Sequence, residues 1–148
     1  MGFTCLALLL AACSNPAARP ADAPAAPGAD RSGAVVRSVG APVYTPEPGR
    51  ATDAGLQRAC QAWTLDRDDV ARFFAASREY PEGTQDAFYA LPCTISGQLT
   101  ADGQTWDYQI NAAATATWIH GEHVRTFGCS ARACAPLVLL MPDDNAGR

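Results

Sequence analysis

Residues 93–112 read CTISGQLTADGQTWDYQINA. The Asp102-Gly103 pair at the centre is a strong signal for a two-residue β-hairpin. Pairing outward from it sets Leu99 opposite Trp106, Gly97 opposite Tyr108, Ile95 opposite Ile110 and Cys93 opposite Ala112. The other face then pairs Gln98 with Asp107, Ser96 with Gln109 and Thr94 with Asn111. One register sorts apolar from polar residues on both strands at once. A slip of one residue would turn every side chain to the wrong face, so the sequence admits little else here. The ring of Tyr108 is expected to cover the space left by Gly97.

Around this hairpin the chain supplies more elements. In TLDRDDVARFFAASREY, residues 64–80, Val70, Phe73, Phe74 and Ser77 recur at helical spacing, with Tyr80 near the end. Thr64 or Asp66 can cap the start, and Asp68 and Asp69 suit the positive end of the helix dipole. Pro81 is expected to stop the helix. In AAATATWIHGEHVRTFGC, residues 112–129, Thr115 and Thr117 favour strand. Gly121-Glu122 suits a type II′ turn, which sets His120 opposite His123, Trp118 opposite Arg125 and Ala116 opposite Phe127. PLVLLMP, residues 136–142, reads as a short buried strand between prolines. The expected fold class is α+β: one amphipathic helix packed on a mostly antiparallel sheet of about five strands.

The beginning of the chain differs. Residues 3–12 form an apolar run of signal-peptide length, too short for a bilayer-spanning helix of about 20 residues. The run ends Leu10-Ala11-Ala12-Cys13, which resembles the lipobox of bacterial lipoproteins. That resemblance implies removal of residues 1–12 and lipidation of Cys13. With Ser14 following the cysteine, it also implies a lipid anchor on the periplasmic face of the outer membrane. Several acyl chains on one residue give stable anchoring where one gives marginal binding.

Residues 13–55 are expected to be the lipidated cysteine and an Ala/Pro-rich disordered tether. Few bulky residues there offset the entropy of ordering. Val35-Val36 and residues 39–44 are the exception, a candidate edge strand. Residues 56–148 remain as one small periplasmic domain. The chain has no lysine, its arginines are scattered, and its net charge is −4, so no basic patch points to nucleic acid.

In that location Cys5 leaves with the signal peptide and Cys13 is lipidated. Cys60, Cys93, Cys129 and Cys134 are left, an even number for an oxidising compartment. Four cysteines allow three pairings. Cys129–Cys134 is the local choice, and Cys60–Cys93 then follows.

The stretch HGEHVRTFGCSARAC, residues 120–134, admits a second reading, as a zinc site of two histidines and two cysteines. Such a site needs thiolates, and oxidation would remove them. No metal or other cofactor is assigned on these grounds. No Cys-x-x-Cys motif, Gly-rich phosphate loop or nucleophile elbow is present, so no catalytic residue is assigned either. The function expected is a non-catalytic protein-binding module that meets an envelope protein: an inhibitor, an immunity protein or an assembly accessory. The alternatives are a structural envelope lipoprotein without a discrete partner site, and a metal-binding or redox protein using residues 120–134. Candidate partner-binding residues are Trp118, His120, Glu122, His123 and Arg125, since Trp and Arg are enriched among interface anchors. The competing expectation for Trp118 is burial in the core with Arg125 stacked on it.

Overall fold

The computed structural model describes Gly2 and residues 33–84 and 87–143. Cys13 and the apolar run before it lie outside the described residues. So do most of the residues expected to form the tether.

The structure is dominated by a mostly antiparallel sheet of seven strands. They are β1 Val35–Val39, β2 Val43–Tyr44, β3 Arg78–Glu79, β4 Cys93–Ala101, β5 Gln104–Asn111, β6 Thr115–His120 and β7 His123–Gly128. The order across the sheet is β1-β4-β5-β6-β7-β3, and β2 pairs with β4 beyond the end of β1. Strands β4 to β7 form a meander of three consecutive hairpins. Two α-helices, α1 Ala54–Ala62 and α2 Arg67–Ala76, and a 3₁₀ turn at Arg132–Leu137 complete the fold.

The central hairpin has the register that the sequence demands, from Thr94 opposite Asn111 to Ala101 opposite Gln104. Asp102 and Gly103 both have positive φ, at 53° and 72°, as a type I′ turn requires. A β-branched residue at position 103 would be held in a strained conformation. We expect Gly103→Val to lower stability by about 1–3 kcal/mol, read from urea denaturation. A midpoint equal to that of the unsubstituted protein would refute the turn assignment. At Gly97 the constraint is space. A Cβ there would run into the Ser38 carbonyl and the Tyr108 hydroxyl, which hydrogen-bond at 2.8 Å. The β6–β7 hairpin also has its expected register, with Gly121 at φ 58° in the turn.

Helix α2 starts as its sequence indicates. Asp66 and Asp69 form a reciprocal capping box, each carboxylate accepting from the other's backbone N–H. The Asp66 amide holds the Asp69 carboxyl below its ordinary range. The helix ends earlier than Pro81 suggests. Ser77 leaves the helix at Ala76 and its hydroxyl donates to the Phe73 carbonyl at 2.7 Å. This frees Arg78 and Glu79 to pair with Gly128 and Phe127 as β3. Tertiary pairing takes these residues before the proline acts.

Three further expectations change. The single expected helix is two, because Asp53 caps an additional turn set, its carboxylate accepting from Gly55 and Leu56 at 2.9 Å. Four of the five expected strands are present and three are added: β3, and β1 and β2 from residues 35–44, placed in the tether apart from a candidate edge strand, which pair with β4. The expected strand at residues 136–142 is absent. The Cys129–Cys134 bridge turns the chain, and Pro136 sits inside the 3₁₀ turn that follows. Leu137 is buried, but Leu139 and Leu140 are each more than a third exposed, with their amides donating to the Ala112 carbonyl. The Ala-rich run likewise enters its strand only at Thr115. Ala114, at φ 66°, closes the turn before it.

The helices cover one sheet face. Phe74 stands at the centre, edge-on to Phe73, Tyr108, Trp118 and Phe127, with ring centroids 5.2–5.7 Å apart. Such pairs add to the stabilisation from area burial alone. Trp63 joins helix to tail, its indole N–H donating to the Leu137 carbonyl at 2.9 Å. Two disulfides close the structure, Cys60–Cys93 and Cys129–Cys134, with all four cysteines buried.

Candidate protein-binding face

The candidate residues on β6 and β7 separate into two groups. Alternation along a strand sends Trp118 to the helix-covered face and Ile119 to the opposite one. Trp118 is completely buried, which removes it from contact with any partner. This corrects its assignment as an interface anchor. It packs against Phe74, Trp106 and Phe127. Arg125, opposite it in the ladder, lies over its ring with the guanidinium carbon 5.0 Å from the centroid.

Arg125 is fixed rather than free to explore. Its Nε and Nη2 donate to the two carboxylate oxygens of Glu79 at 2.9 and 2.7 Å, a bidentate pair, and its Nη1 reaches Asp102 at 3.3 Å. Hydrogen bonding to Glu79 raises its pKa against the desolvation of a part-buried site. The pair closes the core where the helices end, with Trp106 and Phe127 also beneath the guanidinium. Here the arginine is a cap on aromatic rings.

His120, Glu122 and His123 are exposed at the hairpin tip. His120 Nδ1 lies 2.9 Å from the Thr105 carbonyl oxygen. A carbonyl only accepts, so Nδ1 carries the hydrogen in this contact. The ring leans toward β5, against Trp106 at 5.7 Å, while His123 lies on the other neighbouring strand. The cysteines that would complete a zinc site are bonded to each other at the far end of β7. Six residues of strand put them about 20 Å from the histidines. Among the described residues, no group of three or more His, Cys, Asp or Glu side chains is placed to hold a metal ion.

The opposite sheet face has a different character. Its rows follow from the registers: Gln98, Asp107, Ile119 and Val124 in one, and Ser96, Gln109, Thr117 and Thr126 in the next. The Gln98 side-chain amide donates to Asp107 at 2.9 Å. Ser96, Gln98, Asp107, Gln109 and Ile119 surround a shallow depression of about 440 Å³. In the third row Gly128 is buried, because the Phe88 ring occupies the place a Cβ would take. Among the described residues, Thr84 lies beside Gln109, Thr117 and Thr126 of the second row, and no ring covers the first. Within the first row Ile119 is 43% exposed and Val124 59% exposed, and the two are cross-strand partners. They form an apolar spot on an otherwise hydrophilic face.

Sequence reasoning found this hairpin and its register, and of its two expectations for Trp118 the structure shows burial in the core with Arg125 stacked on it; it did not single out Ile119 and Val124. The available signal was the break in alternation at Trp118-Ile119 and His123-Val124, where apolar residues occupy positions belonging to the polar face.

No protein-family model matches the chain, and neither the curated proteins nor the solved structures contain a match to it.

Proposed function

We propose that this chain is a lipoprotein held through Cys13 on the periplasmic face of the outer membrane. Its folded part is a non-catalytic module that binds another envelope protein, as an inhibitor, an immunity protein or an assembly accessory. The lipobox resemblance at residues 10–13 supports the location. Two buried disulfides agree with an oxidising compartment. No helix among the described residues is long and apolar enough to cross a membrane, so the proposed attachment rests on the lipid.

The observation that carries the binding reading is the exposed Ile119–Val124 pair, on the sheet face opposite the helices. Scattered apolar residues are ordinary on surfaces. These two adjoin each other and a depression lined by polar groups, a small apolar centre with a polar rim, which is the usual anatomy of an interface. Arg125, locked beneath the same hairpin, keeps that surface rigid and so lowers the entropy cost of binding.

One experiment tests both parts. A photocrosslinking residue is placed at Ile119 or, as an exposed control, at Tyr89, in the native host, with Cys13 intact or replaced by alanine. With Cys13 intact, a discrete protein adduct is expected from position 119 and not from position 89, in the outer-membrane fraction. Cys13→Ala should release the protein from that fraction. Equal adducts from both positions, or none, would overturn the binding reading. A Cys13→Ala protein that still pellets with outer membranes would overturn the anchor.

A further inference from the structure

Strand β7 has an edge that β3 covers only in part. In a two-residue hairpin the residues flanking the turn, His120 and His123, exchange hydrogen bonds. By alternation Arg125 and Phe127 also bond to β6, while the peptide groups of Val124, Thr126 and Gly128 point outward. The outward direction is visible at Thr126, whose carbonyl accepts from the Tyr80 amide at 2.8 Å. Strand β3 pairs with Gly128 and Phe127, and Tyr80 extends that contact only to Thr126. The chain then turns away at Pro81-Glu82, the Gly83 amide donating to the Tyr80 carbonyl at 3.0 Å. Val124, with its N–H and C=O directed away from β6, lies beyond that reach.

The opposite edge of the sheet is protected differently. Strand β1 has a register shift between Val36 and Ser38, with Arg37 at the irregularity. Bulges and charged residues are the usual devices that keep an edge from pairing with another chain. Over residues 123–125, β7 has no bulge, no proline and no lysine, and its one charged side chain, Arg125, is turned to the other face and tied to Glu79.

We propose that this stretch of β7 pairs with the same stretch of a second copy, antiparallel about a two-fold axis at Val124. An antiparallel edge is self-complementary at that point. The Val124 N–H of each copy donates to the Val124 carbonyl of the other. The axis also brings together the exposed side chains. Ile119, Val124, Val124 of the second copy and Ile119 of the second copy form one apolar row across a continuous sheet. Pairing shifted by two residues is blocked on one side by Tyr80 at Thr126 and on the other by the turn, so this register is the one available. Only three residues on each side take part, so the association is weak in dilute solution and is strengthened wherever chains are concentrated. The pairing does not depend on the proposed lipid anchor, but it uses Ile119 and Val124, so a second copy and the proposed envelope partner would compete for the same spot.

Weak pairing is read best by covalent trapping. Across a hydrogen-bonded antiparallel pair the two Cα atoms are about 5.5 Å apart, inside the range a disulfide spans. Full-length chains bearing Val124→Cys, Val35→Cys or Val43→Cys are oxidised under the same conditions. All three positions are at least half-exposed or nearly so, at 59%, 49% and 55%. The unsubstituted chain supplies the background from Cys5 and Cys13. Val124→Cys is expected to give about tenfold more disulfide-linked dimer than either control, since only there are the two Cα atoms in bridging range. Equal trapping at the three positions overturns the proposal. In a second measurement, Val124→Glu sets like charges across the axis and should lower the dimer fraction of concentrated protein in sedimentation equilibrium. An unchanged dimer fraction, or an unsubstituted protein that is monomeric throughout, also overturns it. Loss of trapping with a persistent heterologous adduct at position 119 would remove the pairing and leave the proposed partner reading intact.

Discussion

Trp118→Ala is expected to lower stability by about 3–5 kcal/mol. The indole is completely buried and touches three aromatic rings on its own face of the sheet. Removing it leaves a cavity beneath Phe74 and takes away the surface on which Arg125 rests. Native domains are stabilised by only about 5–15 kcal/mol in all, so the loss is a large fraction of the total. The indole N–H has no hydrogen-bond partner among the described residues. Trp118→Phe, which keeps a ring and removes that donor, should therefore cost clearly less than Trp118→Ala. On the other face Ile119→Ala should change stability by less than about 0.5 kcal/mol, as exposed substitutions usually do. Urea denaturation of the three variants separates the roles. An alanine at position 118 that leaves the midpoint unmoved would mean that Trp118 is outside the core.

The elements that were legible in the sequence are those where a local signal and the global fold agree. Asp102-Gly103 and Gly121-Glu122 name their own turns, and each turn fixes a register that the apolar pattern repeats. Asp66, one of the two candidate caps, starts α2, and Asp69, expected only as a charge suited to the helix dipole, completes a capping box with it. The count leaves three pairings for Cys60, Cys93, Cys129 and Cys134, and the preference for the local pair picks the one observed. Where the reading failed, a distant contact decided the outcome. Arg78 and Glu79 continue a helical pattern by composition, yet β7 takes them as a strand. Residues 136–142 have the apolar composition of a strand, but a bridge and a proline bend them across the end of the core. Val35 and Val43 lie within Pro/Ala-rich sequence and are ordered only because β4 offers them an edge.

The candidate site was legible to the level of the hairpin and no further. The turn set Trp118 opposite Arg125 on one face, and the structure sets Ile119 opposite Val124 on the other. The turn did not say which face the helices cover. That depends on where Phe73 and Phe74 dock, a non-local fact. The usual enrichment of Trp and Arg at interfaces then pointed to the buried side. Arg125 satisfies its charge within the fold, through Glu79, a residue 46 positions away in sequence. No spacing rule could have joined the two.

The two disulfides should contribute unequally, and the difference is measurable. A bridge stabilises chiefly by restricting the unfolded chain, more so for a longer loop. Cys60 and Cys93 are 33 residues apart, and Cys129 and Cys134 are 5 apart. On the chain-entropy relation these correspond to about 4 and about 2 kcal/mol. All four sulfurs are buried, so replacing either pair by alanine removes comparable packing, and the loop contribution dominates the difference. Location adds to it. Cys60 is the only buried residue of α1, which therefore depends on the bridge to hold it against β4. Cys60→Ala/Cys93→Ala should lower the urea midpoint more than Cys129→Ala/Cys134→Ala, and amide exchange should show residues 54–62 opening first. The shorter bridge has a local task, turning the chain between Gly128 and the 3₁₀ segment, so its loss should loosen residues 129–137 and leave the β4–β5 amides protected. Equal losses from the two double variants, or a larger loss from the shorter bridge, would show that native-state packing rather than loop closure sets their contribution.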